Sequence, residues 1–339
     1  MPLCTLRNRD VYMGVTASAP AKVILLGEHF VVYGEPAIVL AIDQRATATA
    51  EVRNDNQLHM HSTNLELSGA FRGGKFSVEK GPFKEAKLKF EPLRLAIQKV
   101  LDIKGENIGL DVEVNSTVPV AAGLGSSAAV AVAVTAAVSS LLDVNFSKED
   151  IFRISYEAEK VVHGTPSGID PAISTFGGTL IFQMDTGFKP LDVKTDIPLI
   201  VGHTGVERST RVQVEKVRRL KNRYPQVIQP IMKSAREIVL RAIDALKESD
   251  LKTLGDLMNI NHALLSGLGV SDESLERLIN AAGKAGSLGT KLTGAGGGGC
   301  MIALTEEERL EEVLEAIQRA GGKPFIARKT DEGVRIERA

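Results

Sequence analysis

The stretch PVAAGLGSSAAVAVAVTAAVSSLL, Pro119 to Leu142, constrains the fold more than any other: a glycine and serine turn that runs directly into a row of alanines and valines. A spanning helix wants about 20 mostly apolar residues. Gly125, Ser126, Ser127, Thr135, Ser139 and Ser140 interrupt this run, so it reads as a small-residue helix packed under a sheet. Packing accounts for Ala128 to Ala137 but not for GLGSS. Glycines let the backbone approach a ligand, and successive amides at a helix start favour an anion. Helix packing and phosphate binding both remain open for that turn on its residues alone.

The flanking segments supply context. Residues 16–53 read as strands joined by turns at Gly27, Gly34 and Pro36. Phe90 to Leu101 has helical spacing and Ile108 to Val114 alternates as a strand, giving the order strand, glycine-rich turn, helix. Ser147 with Asp150 is a helix-start signature, and Ile151, Ile154, Ala158, Val161 and Val162 then mark one buried face as far as Gly164. Gly177-Gly178 and Thr179 to Phe182 suggest a turn and a strand, and Asp185 to Lys189 a connector. In the second half, Ile231 to Leu246 carries an apolar stripe, and a second helix should open at Thr305 with Glu308 as its capping partner.

A chain of 339 residues, 43% of them hydrophobic, suffices for two domains with full cores, divided here as 1–190 and 191–339. The 41 basic and 42 acidic residues leave no excess charge to point to nucleic acid or an anionic membrane. Cys4 and Cys300 make neither a disulfide framework nor a metal motif, and Met1 to Gly14 has no apolar core of signal-peptide length, so a cytoplasmic protein is the expectation.

Two phosphate-binding patterns fail on their details. Gly69 to Lys75 has Walker A spacing, but Phe76 stands where a hydroxyl should hold Mg²⁺. Gly294, Gly296 and Gly299 satisfy the dinucleotide spacing, yet a strand rather than a helix should follow. His59 and His61 share a strand face without a third ligand of suitable spacing, and read as a polar hairpin. Glu159 and Asp170 flank the irregular GTPSG, Gly164 to Gly168, a setting suited to a general base or Mg²⁺ ligand, although Asp170 could equally cap a helix. Glu157 and Glu159 cannot be told apart by helix angle. Lys22 lies in an apolar strand, where it is either buried against an anion or on a sheet edge.

Taken together, SAPAKVILLGEHFVVYG (18–34), PVAAGLGSSA (119–128) and KLTGAGGGG (291–299) resemble the three signature motifs of the GHMP kinases, in the family's order and across essentially the whole chain. GEHFVVYG and HGTPSGID (163–170) resemble the mevalonate kinase branch, of the archaeal-like type; galactokinases usually follow GEH with Asp-Tyr, where this chain has Phe30 and Val31. Ala21 departs from the glycine common in that branch.

The resemblance implies an α+β, two-domain GHMP kinase fold, with a ribosomal-S5-like N-terminal domain, a ferredoxin-like C-terminal domain and ATP in the cleft between them. It implies transfer of phosphate from ATP to the 5-hydroxyl of mevalonate in isoprenoid biosynthesis. A galactokinase-like or hydroxy-acid kinase, or a non-catalytic metabolite sensor, is the alternative, and the retention of Lys22, Glu159 and Asp170 argues against the sensor. The catalytic pair implied is Asp170 and Lys22. Nucleotide contacts fall on Pro119, Ala122, Gly123, Leu124, Gly125, Ser126, Ser127, Ala128, Gly296 and Gly297, and Mg²⁺ on Ser127 and Glu159. Substrate contacts fall on Lys22, Glu28, His29, Asp170, Arg208, Thr210 and Ala295, with Arg208 for the mevalonate carboxylate. No nucleic-acid or membrane partner is implied, and a homodimer stays open.

Overall fold

The structure, a computed structural model, describes residues 14–119, 123–163, 167–206 and 209–338, excluding the side chains of 161–163 and 338. The lead-in expected before Gly14 lies outside the described residues.

Strand β1 (Val15–Leu26) ends at Gly27, and a single 3-10 turn (Phe30–Tyr33) leads to β2 (Ala37–Arg53). The hairpins β3 (Leu58–Ser62), β4 (Leu67–Arg72) and β5 (Lys75–Lys80) follow. Gly73 and Gly74, at φ 54° and 78°, turn β4 into β5, so the Walker-like spacing is a hairpin. Next come α1 (Phe83–Lys104), β6 (Gly109–Ser116), α2 (Ser126–Leu141), α3 (Lys148–His163) and α4 (Ile169–Phe176). Ser147 and Asp150 open α3 reciprocally: the Asp150 amide donates to Ser147 Oγ at 3.2 Å and the Ser147 amide to Asp150 Oδ2 at 3.1 Å. β7 (Thr179–Gln183) and β8 (Gly187–Leu191) then pair antiparallel. The expected connector at Asp185 to Lys189 is therefore the end of the turn and the first residues of the second strand of a hairpin. Its φ-positive Gly187 marked the turn, but the strand is too short and too exposed to show alternation.

Nine of the described strands form one sheet, which starts from β13 (Arg335–Arg338) and runs β13-β1-β2-β6-β3-β4-β5, with β7 and β8 branching from β2. The small residues of α2 let it sit against β1, β2, α1, α3 and α4 at once, and Ala129, Ala133, Val134, Ala137 and Val138 have no exposed surface. α2 has 16 residues, and no described helix is long and apolar enough to cross a membrane.

The second half holds β9 (Leu199–His203), α5 (Thr210–Arg223), α6 (Pro225–Glu248), α7 (Leu251–Gly267), α8 (Glu273–Lys284), β10 (Gly289–Thr293), β11 (Cys300–Leu304), α9 (Leu310–Arg319) and β12 (Lys323–Ala327). Its four-stranded antiparallel sheet runs β10-β11-β9-β12. Thr305 is not the cap of α9. Its hydroxyl is buried without a hydrogen-bond partner among the described residues, and a 3-10 turn at Glu307–Arg309 separates it from the helix. The spacing was that of a capping box, but the chain spends one more turn leaving the sheet. β13 (Arg335–Arg338) crosses back to pair with β1 at Thr16 to Ser18.

The segment after β1 ties the two halves. Phe30 is fully buried in the core of the second half, among Ile200, Val217, Ile228 and Met232, while Val31 next to it packs with Ile169, Ala172 and Phe182 in the first.

Candidate active site

A cleft of about 980 Å³ opens between the halves, lined at one side by Pro119, Gly123, Leu124, Gly125, Ser126 and Ser127 and at the other by Thr210, Gly294 and Ala295. Lys22 and Asp170 lie on its floor. Gly125, at φ 76°, caps α2 with no side-chain hydrogen bond, which leaves the first-turn amides directed into the cleft for an anion. The Lys22 amide donates to the Leu124 carbonyl at 2.9 Å, so the glycine turn is fastened to β1 as an extra rung. Ala128 is buried behind the turn. Ala122 lies outside the described residues.

Lys22 settles the choice its strand left open. Its ladder partner is Ala41 of β2, and on its other side, beyond the reach of β13, it meets the Leu124 turn, so the strand is a local edge whose lysine side chain is nevertheless only 5% exposed. Its Nζ lies 3.1 Å from Asp170 Oδ1, the anionic partner that burial of an ammonium requires. Asp170 falls in the first turn of α4, where the helix dipole favours a carboxylate, and Gly168 at φ 80° occupies the cap. Asp170 is thus not the cap, and its side chain remains 32% exposed toward the cleft.

The structure also separates the two glutamates of α3. Glu157 lies on the surface with Lys160 at 2.6 Å. Glu159 turns inward: one carboxylate oxygen is buried with no hydrogen-bond partner among the described residues, and burial, reinforced by the negative Asp170, pushes its carboxyl up to about 8. Two carboxylates on one side of Lys22 leave room for more positive charge than a single ammonium supplies. A divalent cation would satisfy the orphaned oxygen, and the hydroxyl of Ser127 in the cleft wall is a suitable second oxygen donor.

The third glycine motif is a β10–β11 hairpin loop followed by a strand, so it is no dinucleotide fingerprint. Gly294 and Ala295 reach the cleft. Gly296 at φ 73° lies against the Val270 carbonyl, where a Cβ would come within 2.1 Å of that oxygen, and Gly297 lies over Gln213. These two glycines shape the loop from behind. His59 sits on the polar outer face of the sheet, with Glu79 and, at 3.5 Å, Asp111, and no cluster of three metal-ligating side chains occurs among the described residues.

Glu28 and His29 stand where the first motif meets this loop. His29 takes the rare φ of 60°, and its Nε2–H donates to the Ala295 carbonyl at 2.8 Å. Glu28 is buried with its carboxylate on Lys291 and, at 3.3 Å, on the side-chain amide of Asn261. Sequence reasoning missed Lys291 and Asn261. No signal of the kind that marked Lys22 was available, because β10 reads Gly-Thr-Lys-Leu-Thr, with a single large apolar residue beside the lysine. Thr210 opens α5 at the cleft; Arg208 lies outside the described residues.

Residues 92–178 match the profile of the GHMP kinases N terminal domain and residues 242–323 that of the GHMP kinases C terminal domain. The mevalonate kinase of Pyrococcus horikoshii is 44% identical over 333 residues, covering 95% of this chain and 98% of that protein. That of Aeropyrum pernix is 37% identical, covering 95% and 98%. Among solved structures, the L. major mevalonate kinase in complex with R-mevalonate superposes with a TM-score of 0.79 at 28% identity, covering 93% of this chain and 96% of that one. Lactococcus lactis galactokinase shares the fold, at a TM-score of 0.76 and 21% identity, with 96% of each chain covered. With the glycine-serine helix start, the buried Lys22–Asp170 pair and the two-sheet architecture in place, these likenesses make the chain a member of the GHMP kinase family, beside the archaeal mevalonate kinases.

Proposed function

We propose that this chain transfers the terminal phosphate of ATP to the 5-hydroxyl of mevalonate. The observation that carries the reading is the Lys22–Asp170 pair, held at 3.1 Å on the floor of the cleft beside the start of α2. The amides at that start take the phosphates of ATP, with Pro119, Gly123, Leu124, Gly125, Ser126 and Ser127 shaping the approach. Asp170 accepts or holds the proton of the acceptor hydroxyl as the oxygen attacks the terminal phosphorus. Lys22 holds the Asp170 carboxylate in place and offsets charge that develops on the acceptor oxygen. Mg²⁺ bound by Glu159 and Ser127 would offset phosphate charge.

For the acceptor, Val31, Ile169 and Phe182 form one apolar cluster next to Asp170 and all three line the cleft. Such a wall suits the methyl and methylene carbons of mevalonate, whereas the ring hydroxyls of a hexose would be left unpaired against it. Arg208 serves the mevalonate carboxylate, and Thr210 and His29 line the cleft that receives the substrate. On the domain scale the division stays at 1–190 and 191–339, except that β13, from the second part of the chain, joins the sheet of the first.

The test is release of ADP with mevalonate, galactose, homoserine and phosphomevalonate offered as acceptors. Mevalonate should support turnover. Turnover with galactose alone would overturn the acceptor assignment, and no turnover with any would overturn the kinase reading in favour of a binding protein.

A further inference from the structure

Lys291 and Thr293 alternate along β10 and so face the same way, Ala295 follows in the turn after Gly294, and each of the three holds a different point of the first motif. Lys291 Nζ pairs with Glu28 and also donates to the Leu292 carbonyl at 2.7 Å. The Thr293 hydroxyl donates to the Ile24 carbonyl at 2.9 Å and accepts from the Ile24 amide at 3.1 Å. The Ala295 carbonyl accepts from His29 at 2.8 Å. Both side chains of the Glu28–Lys291 pair have 0% exposed surface. The three contacts therefore make one buried seam between the halves, which Glu28, His29 and Ala295 carry to the cleft wall.

The strands it joins carry the chemistry. β1 brings Lys22 to the cleft floor and, through its bond to Leu124, the phosphate-binding turn; β10 brings Gly294 and Ala295 to the opposite wall. We propose that Glu28 and Lys291 are positioning residues: their charges are used on each other, and the pair sets the distance between the Gly294–Ala295 loop and the Lys22–Asp170 pair. This rests on the kinase reading above. A buried ion pair is a poor source of net stability, since desolvation of both charges offsets their attraction, but it is exacting about geometry and about the presence of both partners. A carboxylate meant for a bound substrate would instead keep an oxygen free for it. Both oxygens of Glu28 are engaged, one by Lys291 and one by Asn261.

The experiment compares the whole chain with Glu28→Gln, Lys291→Met and the double variant, the last leaving no unpaired charge behind. Steady-state kinetics with ATP and mevalonate, below the melting temperature of every variant, should show kcat lowered at least 10-fold in Lys291→Met and in the double variant. The KM for mevalonate should stay within threefold, and the double variant should lose no more than the worse single one. A KM for mevalonate raised selectively by Glu28→Gln, with effects that add in the double variant, would overturn the proposal in favour of a substrate contact. Unchanged kcat in folded variants would overturn it in favour of a purely structural pair. Amide hydrogen exchange of the same proteins without ligand supplies a readout independent of the acceptor. Peptides covering 292–299 should exchange at least 10-fold faster in Lys291→Met and the double variant, while those covering α2 are unchanged. Unaltered exchange in the loop would refute the seam even if the wild-type chain failed to phosphorylate mevalonate, a failure that would refute the acceptor reading alone.

Discussion

Gly125→Ala should damage catalysis far more than it damages folding. The position has φ 76°, and a Cβ built there would lie 2.9 Å from Lys22 Cγ, 3.4 Å from Lys22 Cε and 3.8 Å from Asp170 Oδ2. Carbon atoms pack best at about 3.5–4.0 Å, so one side must give by roughly 0.6–1 Å. The turn cannot retreat freely, because Leu124 is bonded to the Lys22 backbone at 2.9 Å. The lysine side chain moves instead, and with it the ammonium that faces Asp170. A misplacement of about 1 Å in catalytic geometry costs on the order of 10²-fold in turnover. The backbone penalty is separate, about 1–2 kcal/mol for an alanine forced into the left-handed region. Gly105→Ala isolates it, since that glycine caps α1 at φ 75° and a methyl group added there would meet nothing within 4 Å. The assay is kcat and KM for both substrates together with a thermal melt for each variant. Both should melt a few degrees lower, and only Gly125→Ala should lose turnover. Equal kcat in the two variants would refute the claim that this glycine exists to make room for Lys22. A loss confined to the KM for ATP would show that it serves phosphate approach alone.

Further outcomes follow from other contacts. Asp170→Asn should retain ATP binding by titration calorimetry while turnover falls about 10²-fold or more, as loss of a positioned base does. Glu159→Gln should raise the Mg²⁺ concentration needed for half-maximal activity at least 10-fold. In the metal-free protein, the folded Glu159 carboxyl titrates near 8 against an ordinary 4.5. Between those values the folded chain holds a proton the unfolded chain has released, so stability falls as pH rises through that window. The loss is on the order of 1–2 kcal/mol for this partly exposed group, and melts of Glu159→Gln between pH 5 and 8 should lack that component. Phe30→Ala should cost about 3–5 kcal/mol in denaturant unfolding, because it empties a fully buried position in the second core.

Much of the fold was legible because its signals are local. The capping pair at Ser147 and Asp150, the apolar face of α6 and the helix start at GLGSS each depend on residues within a few positions of one another, and each was found where expected. The failures were also local in form but decided from elsewhere. Thr305 and Glu308 have the spacing of a capping box, yet the exit from β11 delays α9 by a turn. Asp185 to Lys189 has no alternation to reveal a strand, and becomes one because β7 offers it an edge.

The site divides in the same way. Lys22, Asp170 and the pair Glu157 and Glu159 could be marked from the chain because charged residues in apolar or irregular settings need a reason. Their distances to one another, and which of Glu157 and Glu159 turns inward, came only from the packing of α3 and α4 beside β1. The sequence by itself determined the tight turn into α2, since glycines ahead of a run of small helix formers set a helix start whatever surrounds them. Only the tertiary structure decided the partners of Glu28. Lys291 is 263 positions away in sequence, and no local rule joins a carboxylate to a lysine at that separation; burial against each other at the seam does.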